Sequence, residues 1–203
     1  MSTKLDYKEW EIDALTEVCS IGAGHAATAL SQLLDRKVTI SVPEFAIVGL
    51  SDLPEVMGGA ETRATAVYVR VLGAVNGNML FMLSQESAIS LAAILRGHEP
   101  GGDQPTSTDR KIIKQAGAVT ISSYLSALTR FLDVPLIPSE ASIADDMVGA
   151  ILDIVIAELG ARADYGLMVK TEFIDESASI AARICFLPDP EAQQVILKKL
   201  GVK

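Results

Sequence analysis

Asp13, Glu17 and Ser20 stand at i, i+4 and i+7 in a stretch whose apolar residues recur every three to four positions, so a helix would line them up on one side. Two carboxylates and a hydroxyl in a row form a polar stripe on which chemistry could be carried; a solvated helix face would show the same residues. Two other patterns in this stretch fail on context. Gly22, Gly24 and Ala27 fit a dinucleotide-binding fingerprint, but that motif must follow a strand and open a helix, whereas here it lies inside the helical pattern. Cys19 and His25 have the outer spacing of a cysteine-phosphatase loop, yet His25 stands where that chemistry needs an arginine and no strand comes before it. The two glycines read instead as points of close approach between helices, at a propensity cost of about 1 kcal/mol each.

The element that must present Asp13, Glu17 and Ser20 is a long helix from about residue 10, with Leu15, Val18, Cys19, Ala26, Leu30 and Leu34 on its apolar side and an end near Asp35. Extended pieces follow at Val38 to Pro43 and Ala46 to Leu50. Thr65 to Leu72 and Asn78 to Leu83 then form a hairpin across Gly73 to Gly77. A second helix covers Gln85 to Leu95, and Gly97 to Thr106, rich in Gly and Pro, is a linker. The order then restarts: a long helix from Lys111, an extended Val134 to Pro138, an extra helix over about Ile143 to Leu159, strands at Tyr165 to Ile174 and Ile180 to Phe186, and a helix from about Glu191.

At an offset of 98 residues Ala29, Leu30, Leu34 and Asp35 fall on Ala127, Leu128, Leu132 and Asp133; towards the ends, where the offset is 104, Leu83, Ala88 and Gly97 fall on Leu187, Ala192 and Gly201. These matches predict an α+β domain over 1–203, duplicated as about 10–97 and 108–201 with a linker at about 97–107. Its two long helices would lie over one largely antiparallel sheet, related by a pseudo-twofold axis.

With 49% of its 203 residues apolar, the chain can bury a core without a disulfide or metal framework. Its net charge of -9 disfavours nucleic acid and anionic membrane surfaces as partners. Cys19 and Cys185 read as buried thiols in a reducing compartment, and neither a secretory signal nor a membrane-length apolar run is evident, so a cytoplasmic location is expected.

The stretch from Glu17 to Ser31, EVCSIGAGHAATALS, closely resembles the first-helix signature of the CheC family of chemotaxis phosphatases. The family pattern runs Asp or Ser, three residues, Glu, two residues, Asn, twenty-two residues, Pro; Asp13, Glu17 and Pro43 fit it, with Ser20 at the Asn position. Ile40 to Pro43 and Ser123 to Leu132 extend the similarity over nearly the whole chain. The resemblance implies binding of a phosphorylated CheY-type receiver and hydrolysis of its aspartyl phosphate, with Glu17 anchoring the receiver and Ser20 in the place of the Asn that orients water. It implies no cofactor of the chain's own, the magnesium belonging to the receiver. Ser20 is shorter than Asn by about one bond, and His25 stands where the family commonly has another Asn. At the second family site Lys111, Gln115, Ala118 and Ala141 replace all four elements, so that site is expected to be dead. The resemblance also makes the extra helix a docking place for the deamidase CheD, beside the alternative that it only packs on the core. A non-catalytic adaptor that binds the receiver is the rival to a phosphatase.

Overall fold

The computed structural model describes residues 8–160, 164–175 and 180–201. The first half runs through helix α1 (Glu9–Leu34), strands β1 (Thr39–Ile40) and β2 (Glu44–Gly49), the short helix α2 (Leu53–Val56), the hairpin β3 (Arg63–Gly73) and β4 (Gly77–Ser84), and helix α3 (Gln85–Arg96). The second runs through α4 (Ser107–Leu132), β5 (Leu136–Pro138), β6 (Ser142–Met147), α5 (Val148–Gly160), β7 (Tyr165–Asp175), β8 (Ile180–Pro188) and α6 (Pro190–Lys199).

Local chemistry makes the two long helices twins. Each has 26 residues, opens with an acid three residues past the cap and stops at an aspartate in the left-handed region, Asp35 and Asp133, both at φ 51°. At the first, the Glu11 carboxylate accepts from the Lys8 backbone N–H at 2.9 Å; at the second, Asp109 and Thr106 cap one another, with Arg96 of α3 on the same carboxylate at 2.9 Å.

One antiparallel sheet holds all eight strands, in the order β1, β7, β8, β4, β3, β5, with β2 also on β7 and β6 also on β3. The halves therefore trade edge strands. The pairing of Glu44 with Lys170 recurs as Ser142 with Tyr68, and that of Thr39 with Ile174 recurs as Ile137 with Leu72, so the register itself obeys the pseudo-twofold. Alternation along each strand sends Val67, Val69, Phe81, Ile184 and Phe186 into a core under α1, α3, α4 and α6, and Ala66, Leu80, Met82, Cys185 and Leu187 into a second core under α2 and α5.

Two sequence expectations about the strands and the extra helix need correction. The expected register of the ends is one residue out: Leu83 faces the core under the long helices and Leu187 the opposite one, and a one-residue slip exchanges the two faces. Structurally Ser84 corresponds to Asp189, the residues that cap α3 and α6. The extra helix begins only at Val148, because 142–147 form β6 along β3. Asp145 there takes a hydrogen bond from Thr65 and an ion pair from Arg110.

Gly22 is needed where the long helices meet, since a Cβ there would stand 2.8 Å from the Tyr124 ring. Gly24 has nothing within 4 Å, so close helix approach does not explain it.

Candidate functional site

The outer side of α1 carries the exposed Asp13 and Glu17 and the half-buried Ser20, while Leu15, Val18, Cys19 and Gly22 turn inward. Neither carboxylate has an ion-pair or hydrogen-bond partner among the described residues, so both are available to a docking surface. Ser20 is more committed. Its hydroxyl donates to the Thr16 carbonyl one turn back, at 2.8 Å, leaving oxygen lone pairs that can accept from a water but no free donor. Thr16 back-bonds likewise to Ile12 at 2.8 Å.

Pro43 does not join this exposed face. It is buried in the bend between β1 and β2, strands on which α1 packs, and so shapes the sheet edge beneath the helix. At the equivalent places in the second half Lys111 and Gln115 are exposed, Ala118 is half-buried, and Ala141 packs against the core. That face offers an ammonium and an amide where α1 offers two carboxylates.

His25 is exposed and lines a shallow groove of about 480 Å³ between α1 and α4, with Thr28, Gln32, Ser122, Ser126 and Arg130. Cys19 lies beneath Tyr124; burial pushes its thiol up to about 11, against a smaller opposing effect of the Tyr124 hydroxyl, which is the reverse of what a nucleophilic thiol needs. Cys185, in the other core, is pushed up to about 12 by burial. Both cysteines are free, as their contexts in the sequence imply. On α5, Val148, Leu152 and Val155 pack inward, and Ile154 is 64% exposed, so the helix both packs on the core and shows an apolar residue outward. No helix among the described residues is long and apolar enough to cross a membrane.

The fold, an antiparallel sheet with a duplicated long helix on one face, is one that solved structures share. FliY of Thermotoga maritima matches with a TM-score of 0.79 at 15% identity, covering 97% of this chain and 98% of that one. A chain of the CheX–CheY–BeF3–Mg complex of Borrelia burgdorferi matches with a TM-score of 0.57 at 12% identity, covering 88% and 99%. In sequence, a model described as the CheC-like family matches residues 11–47, the stretch that holds Asp13, Glu17, Ser20 and Pro43. The CheY-P phosphatase CheC of Bacillus subtilis is 30% identical over 202 residues, 96% of this chain and 95% of that protein. The chain belongs to the CheC-like family.

Proposed function

We propose that this chain is a chemotaxis protein that docks a phosphorylated CheY-type receiver on the outer face of α1 and hydrolyses its aspartyl phosphate at that one site. The observation that carries the reading is the exposed pair Asp13 and Glu17, without a partner among the described residues, beside Ser20, in a chain related over nearly its whole length to a CheY-P phosphatase. Glu17 anchors a basic group of the receiver. Ser20 accepts a hydrogen bond from the attacking water and holds its oxygen in line with the phosphorus. Water forms the new P–O bond, the bond to the aspartyl oxygen breaks, and the products are inorganic phosphate and the receiver's free carboxylate. Magnesium on the receiver steadies the phosphoryl oxygens; an acyl phosphate is reactive enough that positioning supplies most of what is required. The reading places the chain in the cytoplasm, and it gives the strip around Ile154 to CheD.

The rival reading, a receiver-binding adaptor without turnover, draws on the Ser20 bond to Thr16, which keeps the hydroxyl close to the helix. Misplacement of the water by ~1 Å costs ~100-fold in rate. Both readings use the same docking face, so binding tests them together. Glu17→Lys should weaken receiver affinity by about tenfold or more, because reversal removes an ion pair of ~1 kcal/mol and adds repulsion. Gln115→Lys should change it little, and equal losses would remove the case for a single face.

A further inference from the structure

On the side of the sheet away from α1 and α4, the ends of β3, β4 and β8 and the start of α5 enclose a small pocket of about 110 Å³. Met57, Met82 and Val148 give it an apolar floor, and Arg63 and Arg183 line it. The Arg183 guanidinium is held in place: Nε donates to Glu172 at 3.0 Å and Nη1 to the Met57 carbonyl at 3.3 Å, leaving the remaining N–H groups unassigned. Gly58 leaves room beside it. Its φ of +124° is one L side chains rarely adopt, and a Cβ there would stand 3.1 Å from Arg183 Nη1. Arg63, exposed at the start of β3, has no ion-pair or hydrogen-bond partner among the described residues. The lining thus holds two guanidinium groups and, among the described residues, no carboxylate, Glu172 pairing with Arg183 without lining the pocket, in a chain of net charge -9.

Size and lining narrow the ligand. The volume is well below the ~300 Å³ at which drug-sized ligand pockets begin. The lining hydroxyls of Thr62 and Ser84 already donate to the Gly58 carbonyl and to Ser87, so several phosphate oxygens would face methionine and valine side chains that cannot donate. A carboxylate needs only a guanidinium fork on its head, and its aliphatic stem covers the methionines. We infer that this pocket binds a carboxylate on a short aliphatic stem, held by Arg63 and Arg183 over the Met57, Met82 and Val148 floor. The group can come from a small free acid or from a glutamate side chain of a partner. Neither source depends on the α1 reading, because the pocket is on the other face of the sheet.

The test is an NMR titration of the full chain, following the Gly58 amide and the Arg183 Nε–H, with butyrate, a short glutamate-containing peptide with blocked ends, inorganic phosphate and sodium chloride as separate arms. Saturable shifts with butyrate or the peptide, and weaker ones with phosphate, are expected; the tighter of the first two identifies the source. Arg63→Gln should weaken that binding about tenfold or more, the loss of one charge-assisted contact, and Arg63→Lys should restore only part of it. Phosphate binding as tightly as both carboxylates, shifts no larger than those from chloride, or an Arg63→Gln variant that binds normally would each overturn the assignment. Receiver dephosphorylation by Arg63→Gln should equal that of the wild type, which separates failure here from failure of the α1 site.

Discussion

Ser20 differs from an asparagine at the same place in reach and in the use of its proton, which the Thr16 carbonyl already holds at 2.8 Å. A carboxamide extends past the helix surface and can donate and accept at once. The two cysteines, one in each core, are structural. Cys19 and Cys185 are buried, with thiols raised to about 11 and about 12 from 9.0. In the unfolded chain these thiols would release their protons near 9.0, whereas the folded state retains them. Stability is thus fully present below pH 9 and is lost as pH rises through about 11. Burial also raises the Tyr124 hydroxyl, in the same direction. Urea midpoints should fall over that window, and Ellman's reagent at pH 8 should react with both thiols only after unfolding. Rapid reaction of the native protein would contradict the burial.

At the scale of elements, the meeting of α1 with α4 depends on Gly22. Gly22→Ala drives a methyl into the Tyr124 ring and should cost ~1–3 kcal/mol, whereas Gly24→Ala meets nothing within 4 Å and should stabilise by up to ~1 kcal/mol through helix propensity. Paired urea denaturation curves distinguish the two; similar effects would mean that the helices are not packed through Gly22. Both glycines look alike in the sequence, since they lie two positions apart and only the facing Tyr124 separates them. The long helices, the hairpin and their order were legible because apolar periodicity and Gly-rich turns mark them directly. β6 was not. Ile143, Val148, Ile151 and Leu152 continue a helical spacing, and the acids at 145 and 146 resemble a helix start; only pairing with β3, far away in the chain, makes 142–147 extended. The same holds for the pocket, whose Arg63 and Arg183 come from strands in opposite halves.

Across the whole molecule, each half supplies the other's sheet edge: β2 pairs with β7, β6 with β3, and β4 with β8 through the middle. Residues 1–104 alone would leave β1 and β2 without a partner and one side of β4 open, so that fragment should be unfolded or should self-associate, as size-exclusion chromatography and circular dichroism would show. A folded monomeric half would contradict the exchange of strands. The duplication also allows one face to carry carboxylates where its twin carries an ammonium and an amide. Both helices are kept for packing, and the outer residues at 13, 17 and 20 or at 111, 115 and 118 are free to diverge. That divergence was visible in the sequence because those positions sit in equal register at an offset of 98, where the helix caps also correspond.

In the proposed function the α1 face is a receiver-phosphatase site, and among the four pattern positions 13, 17, 20 and 43 only Ser20 departs from the family. The decisive measurement is the decay of a phosphorylated CheY-type receiver in the presence of saturating wild type, Ser20→Asn and Ser20→Ala. Slow acceleration by wild type, less by Ser20→Ala, and a rate about tenfold or more above wild type for Ser20→Asn, equivalent to ~1.4 kcal/mol off the barrier, are expected. Equal decay rates with all three proteins would contradict that function and leave the adaptor.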